Sequence, residues 1–131
     1  MAIAISRSVT QSTTTAGTFQ ALSALGAATV SSSFTVPTNV SSIKSLSIAL
    51  ACDGAGEEFC GLIKISGNAM KDGDAVFATG GQMTMGTSTG SNMNFVQYDT
   101  DLSVTSGNSC EFSIATTTNA AIDVVVTAQF A

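Results

Sequence analysis

A chain of 131 residues with no His, no Trp, four basic and nine acidic side chains is long enough for one domain with its own core. The inventory for moving protons, holding metals or presenting an activated nucleophile is nearly empty, so hydrolase or transferase chemistry is not expected. The four cations, Arg7, Lys44, Lys64 and Lys71, are scattered through a chain of net charge −5, which excludes the clustered basic patch that direct nucleic-acid binding needs.

In chain order, residues 2–7 open with an apolar run (Ala2, Ile3, Ala4, Ile5) that predicts a short strand. Ser and Thr dominate residues 6–15, where Arg7 is the one charge. Residues 1–15 are therefore expected to be an N-terminal arm or edge strand, and residues 16–131 a single β-sandwich domain. An arm has few side chains for a core of its own. It gains a full ladder by lying on a neighbour's sheet edge, or it is the terminal strand of its own sandwich. The start has no basic stretch leading into a long apolar one, so it does not read as a signal peptide. Residues 19–27 carry helical spacing at Phe19, Leu22 and Leu25, with Gly26 placed to end a turn.

From there the period is two. Strands are predicted over residues 28–36, 42–52, 59–66, 75–79, 82–85, 93–98, 102–105, 109–115 and 121–130. Leu46, Ile48, Leu50 and Cys52 are in phase, as are Phe59, Gly61, Ile63 and Ile65, with Lys64 and Ser66 on the other face. Cys110, Phe112 and Ile114 alternate with Glu111 and Ser113, and Ile122, Val124, Val126, Ala128 and Phe130 form the longest clean alternation. Breakers separate these segments: Pro37-Thr38-Asn39, Asp53-Gly54, Ser66-Gly67-Asn68, Lys71-Asp72-Gly73-Asp74, Gly80-Gly81, residues 87–92 and Ser106-Gly107-Asn108. Strand and turn at this spacing predict an all-β, single-domain sandwich of two sheets with four or five strands each. The expected core is Leu46, Ile48, Leu50, Ile63, Ile65, Phe112, Ile114, Val124 and Val126. The seven Phe mostly fall in the apolar phase and read as core. No stretch reaches the roughly 20 apolar residues of a spanning helix.

Few residues offer chemistry. Cys52 ends one predicted strand and Cys60 begins the next. If the two strands form a hairpin, a disulfide closes the intervening loop and stabilises by about 2–3 kcal/mol; otherwise both thiols stay reduced. Cys110 lies in phase with Phe112 and Ile114 and reads as a small core hydrophobe. A catalytic Cys needs a basic partner, and there is no His to supply one. Asp72 and Asp74 flank Gly73 in the best candidate cation site, where alternating carboxylates suit Ca²⁺; solvated turn acids are the plain alternative. No other cofactor is expected. Asp53 with Glu57 and Glu58, and Asp99 with Asp101, are further acidic clusters of turn type. Asn39-Val40-Ser41 fits the N-glycosylation pattern, which matters only in a secretory pathway. Met83, Met85 and Met93 flank the loop over residues 87–92, either as an adaptable contact surface or as gap-filling core.

With the start Met1-Ala2-Ile3-Ala4-Ile5, the Ser/Thr-rich lead into Ser33-Phe34-Thr35-Val36-Pro37 and an ending almost flush with the last strand, over residues 122–130, the chain resembles small viral capsid or capsid-decoration proteins of β-sandwich or jelly-roll type. The resemblance implies a jelly roll or related sandwich and a homo-oligomeric ring or lattice. It also implies a location in the virion, contacts with other virion proteins, and no catalytic residues. Two other classes remain open: an extracellular, cell-surface filament subunit of pilus type, and a small carbohydrate- or ligand-binding β-module. A filament subunit ordinarily carries an export signal, and a sugar site ordinarily offers more aromatic platforms than one Tyr and no Trp.

Overall fold

The computed structural model of the chain describes residues 3–25, 32–54, 58–59, 61–79, 83–84, 90–117 and 121–131. Its strands in chain order are β1 (Ile3–Thr13), β2 (Gln20–Ala21), β3 (Ser33–Thr35), β4 (Ser42–Gly54), β5 (Glu58–Phe59), β6 (Gly61–Ser66), β7 (Ala75–Ala78), β8 (Met83–Thr84), β9 (Gly90–Ser103), β10 (Ser109–Thr116) and β11 (Ala121–Phe130). A 3₁₀ turn at Leu22–Ala24 is the only helical element among the described residues. The fold is an all-β sandwich.

Period-two alternation decides which face of each strand is buried. Along β11, Ile122, Val124, Val126, Ala128 and Phe130 are 0–1% exposed while Asp123, Val125 and Gln129 face solvent. β4 and β6 follow the same rule with Leu46, Ile48, Leu50, Ile63 and Ile65. All nine expected core residues are 0–1% exposed, and Cys110 joins them at 1%. Three rings lock the two layers together. Phe34 of β3 lies 5.1 Å from Phe112 of β10 and 5.8 Å from Phe130 of β11, ring centre to ring centre.

One sheet runs β1-β11-β4-β9, all antiparallel. The other runs β2-β10-β6-β7, and β3 also pairs with β10. β2 and β3 are two pieces of one broken edge strand, because β6 occupies the other edge of β10. Buried Leu22 and Leu25 plug the break between them. With that edge counted once and the small β5-β8 ribbon set aside, eight strands remain. Their order is first-eighth-third-sixth in one sheet and second-seventh-fourth-fifth in the other. This is the connectivity of two interlocked Greek keys, a jelly roll.

Several expectations are corrected. The first strand does not stop at residue 7. It continues to Thr13 and pairs with β11 from Ile3↔Phe130 to Thr13↔Ala121, with a bulge between Val9 and Ser12. Buried Val9 anchors it. Within the chain, residues 3–13 pair along β11 as the edge strand of this sheet. Of the helical spacing over residues 19–27, the described residues, up to Leu25, form a 3₁₀ turn, in which Leu22 and Leu25 reach the core while Phe19 is 36% exposed. Residues 93–98 and 102–105 are not separate strands. β9 continues through Asp99-Thr100-Asp101 with a bulge opposite Lys44, where the Thr100 hydroxyl donates to the Ile43 carbonyl at 2.6 Å. The hairpin expected between residues 42–52 and 59–66 does not form: β4 and β6 lie in opposite sheets. The predicted strand over residues 28–36 is described only from Ser32, and within it β3 covers Ser33–Thr35.

Candidate functional site

The residues singled out for chemistry are not gathered. Asp72 and Asp74 project from the exposed turn between β6 and β7, around Gly73 at φ +92°. Only a glycine takes that backbone conformation without strain. Among the described residues, no group of three His, Cys, Asp or Glu side chains lies close enough to share a metal ion. What the turn offers a cation is two carboxylates, against the six to eight oxygens Ca²⁺ takes. The backbone of Cys52 pairs with Asn92 and Ile122 in the first sheet. Cys60 lies outside the described residues, and so does the disulfide proposed for it; the hairpin that motivated it is absent. Glu57 and Met85 lie outside them too, as do the side chains of Met83 and Met93.

Cys110 is closed off in the core. Burial pushes its thiol from 9.0 up to about 11, because the thiolate loses its water. It is a protonated packing group at neutral pH and a poor nucleophile. Asp101 pairs with Lys44 at 2.6 Å on the surface, where both side chains are more than half exposed, so the pair adds little. Lys64 lies 4.7 Å above the Phe19 ring. Arg7 has a structural role that its place in a polar segment did not suggest. It reaches from β1 across the open side of the sandwich, donates from Nε to the Ser33 carbonyl at 3.3 Å, and sits 5.8 Å over the Phe34 ring. It thus clasps the edges of the two sheets.

What the register does bring together is a surface. On the outer face of the β1-β11-β4-β9 sheet, residues align in rows across all four strands. One row is Ser8, Val125, Ala49 and Phe95. The next is Ser6, Thr127, Ser47 and Gln97, and the third is Ala4, Gln129, Ser45 and Asp99. These rows carry one charge, that of Asp99. Two strands contribute large exposed apolar groups, Val125 at 43% and Phe95 at 64%. The remaining side chains are Ala, Ser, Thr, Gln97, Gln129 and Asp99, and the Ser6 and Thr127 hydroxyls bond each other at 2.7 Å. Along these three rows the face is nearly uncharged and partly apolar.

Residue type alone assigns Phe95 to the core. Its phase says otherwise: Asn94 and Tyr98 turn inward, donating to the Thr79 and Ala78 carbonyls at 2.6 and 2.9 Å, and Val96 packs on the core. Phe95 must then point out. On the opposite face of the sandwich, Gly17, Phe19, Leu62, Ala115, Thr116 and Thr117 line a cleft of about 350 Å³. Leu62 and Val76 are exposed there as well. Among the described residues no helix is long and apolar enough to cross a membrane. No protein-family model matches the chain, and comparison with curated proteins finds no match.

Proposed function

We propose that this protein is a non-enzymatic structural subunit that assembles with copies of itself, as a virus capsid or capsid-decoration protein does. The observation that carries the reading is the outer face of the β1-β11-β4-β9 sheet, with Phe95 and Val125 exposed on a surface whose three central rows hold one charge. Exposed apolar groups on a nearly uncharged surface favour contact between molecules, because little electrostatic repulsion opposes it. The jelly-roll connectivity supports the reading, since capsid subunits are among the proteins built this way. Lectins and cupins share the fold, so fold alone does not choose between them. Cupin-type metal chemistry relies on His ligands, which this chain lacks. The test is the assembly state of the purified protein over a concentration series, by mass photometry and negative-stain microscopy. A closed ring, shell or lattice is expected, as for a subunit that works in a virion. An open fibre would move it to the filament class, and a monomer at every concentration would refute self-assembly.

The second reading, a ligand-binding module, has one observation in its favour: the cleft beside Phe19 and Leu62. It predicts a monomer whose melting temperature rises with an apolar ligand or a sugar.

A further inference from the structure

A sandwich of this connectivity has four edges, and an unprotected edge strand is a template for pairing with another chain. Three of the four are blunted. β1 carries a bulge between Val9 and Ser12 and is clasped to β3 by Arg7. The β2/β3 edge is broken into pieces of two and three residues by the buried 3₁₀ turn. β7 is four residues long. The fourth edge is β9, which is 14 residues long, contains no Pro, Lys or Arg, and is regular up to Asp99, its one register shift falling between Asp99 and Leu102. It pairs with β4 on one side. Among the described residues its other side has no ladder partner from residue 94 until the Lys71 amide meets the Ser103 carbonyl at 3.2 Å.

We infer that residues 94–100 of β9 pair antiparallel with the same residues of a second copy, joining two four-stranded sheets into one of eight. This rests on the self-assembly reading and names its contact. The occupant follows from the charges. Asp99 and Asp101 are the charged groups of the strand, and both sit in its second half. An in-register parallel partner stacks each Asp on its own copy, and like charges directly opposite are destabilising. An antiparallel partner with its two-fold axis at Gln97 sets Asp99 opposite Phe95 and Thr100 opposite Asn94, so no acid faces an acid. The same register pairs Val96 with Tyr98, outward residues meet outward residues, and the pleat continues across the junction. Phe95, 64% exposed in the single chain, gains cover from the neighbouring strand. The contact uses one surface twice, so it closes as a dimer and leaves the outer face free for the further contacts of a shell.

The experiment uses the full chain in three forms: unchanged, Gln97→Lys at the exposed edge, and Val125→Lys on the outer face away from it. Sedimentation velocity over a dilution series reads the dimer dissociation constant. Amide hydrogen exchange compares the dilute and associated states. In the Gln97→Lys dimer two ammonium groups meet at the axis, so this variant is expected to weaken dimerisation at least about tenfold, or about 1.4 kcal/mol. Val125→Lys is expected to leave that step unchanged. Association of the unchanged chain is expected to protect alternate amides of residues 94–100. Dimerisation of Gln97→Lys at unchanged strength would overturn the inference, as would an absence of new protection in β9. Should Gln97→Lys fail to fold, the exchange measurement on the unchanged chain decides alone. An unchanged chain that assembles through a contact broken only by Val125→Lys sinks the edge but keeps the self-assembly reading, whereas a monomer at every concentration sinks both.

Discussion

Phe130 closes the last strand, where chain ends usually fray and substitution usually costs little. Here the opposite is expected. The ring is fully buried and stands 5.8 Å from Phe34 across the gap between the sheets. The strand end is tied down on its far side, because the Ser41 and Ser42 amides donate to the Ala131 carbonyl at 3.0 and 3.1 Å and the Ala131 amide returns a bond to Ser42 at 3.0 Å. With no freedom to collapse, Phe130→Ala leaves a cavity beside Phe34, and a core Phe→Ala change costs about 3–5 kcal/mol. Loss of the edge-on ring contact adds roughly 0.5–1 kcal/mol. The sum, about 3.5–6 kcal/mol, is a large part of the roughly 5–15 kcal/mol that holds a domain folded. Urea unfolding followed by far-UV circular dichroism measures it, at one fixed protein concentration because assembly shifts the midpoint. Phe95→Ala is the control, since that ring is 64% exposed, and in the dissociated chain its cost should stay within about 0.5 kcal/mol. A Phe130→Ala cost below about 1.5 kcal/mol would refute the reasoning and mean that the strand end is loose.

What the sequence discloses depends on how local the cause is. The alternation of β11 is legible because one of its faces is buried and the other solvated, and a shift of one residue would exchange them; the predicted and observed bounds, 121 and 130, coincide. The nine core residues follow from the same asymmetry. Strand order is not legible, since it rests on pairings between opposite ends of the chain, such as Ile3 with Phe130. That is also why two successive strands, β4 and β6, imitate a hairpin when the chain crosses from one sheet to the other between them. Leu22 and Leu25 imitate a helix because a short turn that buries two Leu needs the same spacing as one helical turn. The candidate surface was harder still. Ser47 and Ala49 look like ordinary solvent-side residues, and only the register of four distant strands lines them up with Val125 and Phe95. One signal was available: Phe95 is out of phase with Val96 and Tyr98.

Three further outcomes are expected. The folded Cys110 thiol holds its proton to about pH 11 against an ordinary 9.0, so between those values the unfolded chain binds fewer protons and stability falls as pH rises. Two pH units at about 1.4 kcal/mol each give a loss of about 2–3 kcal/mol, which denaturant titration should find in the unchanged chain and miss in Cys110→Ala. Melting curves in Ca²⁺ and in chelator are expected to coincide, because two turn carboxylates fall short of a calcium shell; a rise that Asp72→Asn removes would establish the site. Deleting residues 1–15 tests where the first strand belongs. The deletion removes buried Val9, worth roughly 2 kcal/mol, and half-buried Ile3 and Ile5, worth roughly 1 kcal/mol each. It also removes the Arg7 clasp and bares the β11 edge. A chain that pairs β1 with its own β11 must then lose at least about 4 kcal/mol, enough to lower the melting temperature steeply or to unfold the domain. The readouts are thermal melting of the dissociated chain and sedimentation of the concentrated one. Lower melting supports the strand as part of its own sandwich. If the truncated chain keeps its melting temperature when dissociated and loses only assembly, the strand is instead exchanged between copies, and the pairing of Ile3 with Phe130 is made across two molecules.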